Sequence, residues 1–180
     1  MEAIILQHIK IEDPGHIKDL MLADGWKLTT IELDQGEKIP NNLRKFDVMI
    51  CMGGPMDTWM EKKYPWLIEE KNKIREFVIN LKKPFLGFCL GCQLLGEVVG
   101  GKVVQSKSSE VGMLEIDFSK NKKNDIVFST FPDSIKALQW HSYEVTDLGK
   151  NENITLLASS QTTKYQIFKY KNHAYGIQFH

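Results

Sequence analysis

Phe85-Leu86-Gly87-Phe88-Cys89-Leu90-Gly91-Cys92-Gln93-Leu94-Leu95-Gly96-Glu97-Val98-Val99 is the stretch on which the reading of this chain turns. Phe85 to Phe88 reads as a short buried strand and Gly91 to Val99 as a helix, broken by Gly100-Gly101. Between them stands a cysteine with glycine two positions away on either side. A strand that turns this sharply into a helix around a G-x-C-x-G core forms a nucleophile elbow. The turn strains the central residue, and side chains at the flanking positions would collide with the tightly folded backbone. The reading therefore expects an exposed Cys89 sulfur at a helix N-terminus, where free N–H groups and the helix dipole favour thiolate over thiol.

Two other readings of Cys89 compete. Free cysteine is ordinarily a small buried hydrophobe. Cys89-Leu90-Gly91-Cys92 also has the C-x-x-C spacing of thioredoxin-like redox motifs. That motif follows an early strand in thioredoxin-like domains, whereas here it follows several α/β units and is bracketed by elbow glycines, so Cys92 is assigned to packing.

Upstream of the elbow, β-rich runs alternate with helical patterns. Ala3 to His8 reads as a strand, and Pro14 to Ala23 as a helix capped by Asp13, opened by Pro14 and stopped by Gly25. Trp26 to Leu33 and Phe46 to Cys51 read as further strands, the latter apolar enough to be buried on both faces of a parallel sheet. Pro65 to Leu81 is the clearest amphipathic helix, with Leu67, Ile68, Ile74, Phe77, Val78 and Leu81 on its apolar face. Downstream of Lys102 come β-type runs at 103–105, 113–118, 135–139, 154–158, 166–170 and 174–179, some of which must be antiparallel. Lys120 to Asn124 reads as a solvated polar loop. The expected fold is α/β: a doubly wound, mostly parallel sheet with helices on both faces and added antiparallel strands.

Attack on a carbonyl creates an oxyanion, which needs preorganised N–H donors. The backbone N–H of Leu90, directly after the cysteine, is one source. The Gly53-Gly54-Pro55 turn after a neighbouring strand is the other; Pro55 has no N–H, so Gly54 is the donor chosen. For the base there are His8, His16, His141, His173 and His180. His16 reads as helix surface and His173 follows a turn. His180, at the tip of Tyr175-Gly176-Ile177-Gln178-Phe179, and His141, in Gln139-Trp140-His141-Ser142-Tyr143, both remain open on pattern alone.

The bulk properties bound the partners. At 180 residues the chain suits one domain, residues 1–180. Its 23 basic and 23 acidic residues cancel, which leaves no footprint for nucleic acid or an anionic membrane. Three cysteines, Cys51, Cys89 and Cys92, form no secreted disulfide framework, and the N-terminus lacks a signal pattern, so free thiols in a cytoplasmic protein are expected. No stretch is long enough to span a bilayer.

Three separated stretches, Met52-Gly53-Gly54-Pro55-Met56, Gly87-Phe88-Cys89-Leu90-Gly91-Cys92-Gln93-Leu94 and Tyr175-Gly176-Ile177-Gln178-Phe179-His180, resemble class I glutamine amidotransferases. The likeness is greatest to stand-alone domains similar to the amidotransferase part of GMP synthetase. The resemblance implies that Cys89 forms a γ-glutamyl thioester, that His180 is its base and acid, and that Leu90 and Gly54 hold the oxyanion. It also implies that Gln93 contacts bound glutamine, and that the Trp140-His141-Ser142-Tyr143 segment is a loop holding the α-amino and α-carboxylate groups, near Glu110-Val111-Gly112. No cofactor or metal is implied. The substrate would be L-glutamine, and ammonia would pass to a synthase subunit or domain.

Two departures accompany the resemblance. Family members continue after the matching histidine with Pro-Glu, whose glutamate orients the imidazole. This sequence ends at His180, so the expectation is a domain cut short just after the histidine, with impaired turnover and retained thiol reactivity. Ser142 also stands where members of the resembled family often carry glycine. No G-x-x-x-x-G-K-[ST] pattern is present, in keeping with a glutaminase that leaves nucleotide chemistry to another unit. Two alternatives remain: a γ-glutamyl hydrolase acting on γ-glutamyl amines or peptides, and a non-catalytic regulatory domain of the same fold.

Overall fold

The computed structural model describes residues 1–180. Its strands are β1 (Glu2–Gln7), β2 (Lys27–Glu32), β3 (Val48–Cys51), β4 (Phe85–Phe88), β5 (Lys102–Phe118), β6 (Ser134–Thr146), β7 (Ile154–Ser159), β8 (Ile167–Tyr170) and β9 (Ala174–Ile177). The α-helices are α1 (His16–Ala23), α2 (Trp66–Arg75) and α3 (Leu90–Val98). All nine strands form one sheet in the order β2-β1-β3-β4-β9-β8-β7-β5-β6. The first five in that order are parallel, and the rest add on antiparallel.

Side chains alternate across the parallel strands and supply a core to each face. Ile4, Leu6 and Met49 pack toward α2 and α3, with Leu67, Ile74, Leu94 and Leu95. Ile5, Ile50 and Met52 pack on the other face beneath Ile17 and Met21 of α1. A parallel sheet covered on both sides needs strands without a polar face, which is why β1 from Ala3 onward is wholly buried.

Several boundaries differ from the sequence reading. Helix α1 starts at His16 rather than Pro14, because Gly15, at φ 52°, breaks the helical path and takes the N-cap position. The Asp13 carboxylate accepts from Gly15 N at 2.9 Å, outside the helix. In α2 the expected apolar Ile68 is exposed and Glu70 is fully buried in its place. The helix then passes into a π-helical turn over Glu76–Asn80. The runs at 103–105 and 113–118 are one strand, interrupted only by a bulge between Gln105 and Glu110. Lys120–Asn124 is a short 3₁₀ turn, and Lys122 within it is buried, donating to Phe131 O at 2.6 Å and pairing with Asp133 at 2.7 Å.

Candidate active site

β3, β4 and β9 are neighbours and run parallel, so the segments that follow them emerge together at the carboxyl edge of the sheet. Those segments are the three stretches singled out above. Backbone bonds tie them together: Cys89 N donates to Ile177 O at 2.9 Å, and Gly91 N to Met52 O at 3.1 Å.

Cys89 has φ 46° and ψ −102°, a conformation L-residues rarely adopt, between β4 and α3. Its glycines are sterically required. A β-carbon on Gly91 would overlap the Cys51 carbonyl, and one on Gly87 would overlap the Gly91 carbonyl and stand 2.9 Å from Cys92 N. The elbow geometry is as expected, but the exposed sulfur is not: Cys89 is only 8% exposed. Burial pushes its thiol up to about 12 and the Glu12 charge adds to this, while the Leu90 N–H works in the opposite direction. In the free protein, desolvation therefore outweighs the helix terminus. Cys92 lies in the core among α3 neighbours, as packing.

Cys89 opens onto a cavity of about 680 Å³, which Gly54, Leu90, Gln93, Ser142, Tyr143 and His180 also line. His180 is fixed through its backbone, N to Leu138 O at 2.8 Å. Its Cε1 lies 3.2 Å from where a β-carbon on Gly53 would stand, and the Glu12 carboxylate occupies that same space. Glu12 was missed in the sequence because it sits in an irregular segment after β1 with no motif around it.

The Trp140-His141-Ser142-Tyr143 segment is not a loop but part of strand β6. Both ring nitrogens of His141 are occupied, Nε2 by Glu110 at 2.9 Å and Nδ1 by the Tyr143 carbonyl at 3.0 Å. Ser142 is exposed and accepts from Ser109 Oγ at 2.9 Å. Gln93 is buried, and its amide donates to Tyr143 O at 3.1 Å and Gln178 Oε1 at 3.2 Å; Gln178 in turn reaches Cys89 Sγ at 3.8 Å. His16 is at the surface, and His173 Nε2 lies 2.9 Å from Val78 O, away from the cavity.

His8, Cys51 and Glu70 are all buried, with metal-ligand-type atoms within 4.8 Å of one another. They are bonded among themselves, His8 Nε2 to Glu70 Oε1 at 2.9 Å and Cys51 Sγ to the same oxygen at 3.3 Å. No helix is long and apolar enough to cross a membrane.

Residues 17–180 match the family described as glutamine amidotransferase class-I. The chain is 29% identical to the glutamine amidotransferase-like protein YfeJ of Salmonella typhimurium, covering 100% of this chain and 75% of YfeJ. It is 31% identical to a subunit of the glutamine-hydrolysing GMP synthase of Sulfurisphaera tokodaii, over 80% of this chain and 71% of that relative. Among solved structures, a glutamine amidotransferase from Thermotoga maritima superposes with a TM-score of 0.90 at 30% identity, covering 100% of this chain and 75% of its own.

Proposed function

Because this chain belongs to the class I glutamine amidotransferase family, we propose that residues 1–180 act as one glutaminase domain in which Cys89 attacks the side-chain amide of L-glutamine. The observation that carries this reading is the strained, glycine-flanked Cys89 in one cavity with Gly54, Leu90 and His180. His180 takes the thiol proton as Sγ bonds to the amide carbon. The N–H groups of Leu90 and Gly54 hold the oxyanion, each such donor being worth about 3 kcal/mol in comparable sites. Collapse breaks the C–N bond, His180 returns the proton, and ammonia leaves. Water then cleaves the γ-glutamyl thioester to glutamate. Gln93, Ser142 and Tyr143 line the end of the cavity assigned to the amino acid's α-groups. The GMP synthase subunits among the relatives support a synthase partner that receives the ammonia.

The thiol at about 12 in the free protein fits this scheme if the proton is transferred within the complex rather than lost beforehand. The test is mass spectrometry after treatment with an electrophilic glutamine analogue, with excess glutamine as competitor and Cys89→Ser as control. A single glutamine-protectable adduct on Cys89 is expected. Labelling spread over Cys51 and Cys92, or indifferent to glutamine, would overturn the reading.

A second reading, hydrolysis of γ-glutamyl amines or peptides, draws on the cavity's size and rim. About 680 Å³ exceeds what glutamine alone fills, and Val111, Leu138 and Trp140 line it with exposed apolar surface that suits a larger leaving group. Turnover of a γ-glutamyl anilide by the isolated protein at a kcat/KM above that for glutamine would favour it.

A further inference from the structure

His8 follows β1 and is sealed from solvent, stacked on Trp66 with ring centroids 5.5 Å apart. Its Nδ1 lies 2.9 Å from the Gly53 carbonyl oxygen and its Nε2 2.9 Å from Glu70 Oε1. A carbonyl oxygen only accepts, so Nδ1 carries a proton. Nε2 and Glu70 Oε1 share a second proton across their 2.9 Å contact, and where it sits on Nε2 the ring is cationic. Burial works against a charged ring. Glu70's charge and hydrogen bond, the Gly53 carbonyl and the Glu12 charge outweigh it and hold the ring's pKa above its ordinary value.

Such a pair is a poor way to stabilise a core. Desolvating two ions costs several kcal/mol each, and apolar residues of similar volume often serve as well. Glu70 Oε2 adds to the cost, since it is buried with no partner. What the pair does is hold one particular peptide. The Gly53 C=O and the Gly54 N–H belong to the same amide, which is planar and trans, as is every peptide bond in the chain. Fixing the oxygen toward His8 therefore points the N–H the opposite way. Between two glycines that amide would otherwise rotate with little hindrance. Gly54 lines the cavity beside Cys89, and a β-carbon on it would stand 2.8 Å from His8 Cβ, so the ring packs directly behind it.

We propose that His8, held by Glu70, is a positioning residue for the oxyanion hole: its Nδ1–H clamps the Gly53 carbonyl and keeps the Gly54 N–H aimed at the carbonyl oxygen of the substrate. The Nδ1–H bond to the carbonyl also polarises the amide and strengthens its N–H as a donor. The inference rests on the assignment of Gly54 as a donor to the oxyanion.

The test compares His8→Phe, which keeps a ring against Trp66 but has no donor, with His8→Asn, whose side-chain amide nitrogen takes the place of Nδ1. Glutamine kinetics are measured beside the affinity for glutamate γ-semialdehyde, an aldehyde that Cys89 converts to a tetrahedral hemithioacetal. His8→Phe should lower kcat by about 30-fold with KM changed less than about twofold, and should weaken the aldehyde by a similar factor. Iodoacetamide labelling of Cys89 and its protection by glutamine should be unchanged, and His8→Asn should recover most of the loss. Should His8→Phe fail to fold, Glu70→Gln, which removes the counter-charge, should show the same kcat and aldehyde losses in smaller measure. Wild-type kcat and aldehyde affinity in His8→Phe, or an His8→Asn variant as impaired as His8→Phe, would overturn the inference alone. A wild-type protein that neither hydrolyses glutamine nor binds the aldehyde would overturn the reading of the site as well.

Discussion

Glu110 Oε2 lies 2.9 Å from His141 Nε2 across the β5–β6 pair, with the two side chains 5% and 2% exposed. The bulge between Gln105 and Glu110 brings them into register. Glu110 also accepts from Ser160 and Thr162 at 2.5 Å each and from Gln166 at 2.6 Å. Burial alone would raise this carboxyl, but the hydroxyl donors and His141 outweigh it and hold it below its ordinary value. A carboxyl depressed in the folded state contributes stability that is present above its unfolded pKa, about 4.3. That contribution is lost as pH falls through the lower folded value. Thermal unfolding between pH 3 and 7 should therefore show a midpoint that drops below about pH 4. Burial holds the His141 ring below its ordinary pKa, so at neutral pH the contact is a hydrogen bond rather than an ion pair. Glu110→Gln should be less stable there by about 2 kcal/mol, through weaker acceptance from Ser160, Thr162 and the ring, and should lose part of that acid dependence. Parallel curves for the two proteins would contradict this account.

Gly91→Ala tests the packing behind the elbow. The new methyl would meet the Cys51 backbone carbonyl, which is fixed in β3 and cannot yield as a flexible side chain could. The helix-propensity gain of about 1 kcal/mol is too small to offset the overlap. A net loss of about 2 kcal/mol, lowering the unfolding midpoint by about 4 to 8 °C, is expected in calorimetry, together with loss of glutamine-protected labelling as Cys89 is displaced. A variant as stable and as reactive as the wild type would show that the elbow has room to spare.

The elbow and the order of α/β units were legible because each rests on local signals. Gly87, Cys89 and Gly91 mark a turn that few other residues could make, and apolar runs such as Ile4-Ile5-Leu6 have the texture of strands covered on both faces. What was not legible depended on contacts between distant segments. Nothing near Glu70 signals that a charged residue on α2 turns inward, because its reason is His8, 62 positions away. The same holds for Lys122, whose buried position answers to Phe131 and Asp133 rather than to its own charged neighbourhood. The burial of the Cys89 thiol was not legible, because a helix terminus can be read from sequence while burial and the nearby Glu12 cannot.

Lys169 and Asp125 form another buried pair, 2.6 Å apart, with the Tyr175 hydroxyl 3.2 Å from the same carboxylate oxygen. Burial raises the Asp125 carboxyl, but Lys169 and the backbone N–H groups of Val127 and Phe128 more than compensate and depress it. Lys169→Met leaves Asp125 sealed without its counter-charge and should cost about 3 kcal/mol in urea unfolding. Tyr175→Phe, which removes one of several donors, should cost about 1 kcal/mol. Equal effects for the two would place the energy in packing rather than in charge.

Cys89 provides the last prediction, because two separate causes raise its thiol. Burial is the larger and the Glu12 charge the smaller, with the result at about 12. In the free protein the thiolate fraction should grow tenfold per pH unit up to that value. The logarithm of the iodoacetamide alkylation rate should thus climb with a slope near one from about pH 7 to 10, with no plateau. Glu12→Gln removes the charge and leaves the burial, so it should speed alkylation a few-fold at any fixed pH in this range. The electrophilic glutamine analogue should behave differently if His180 is the base proposed above: with the analogue in the cavity the thiol proton passes within the complex, and its reaction should be faster and less steeply dependent on pH than alkylation by iodoacetamide. A plateau in the iodoacetamide profile near pH 7, unchanged by Glu12→Gln, would mean that the helix N-terminus prevails over burial after all and that the thiolate forms before substrate arrives.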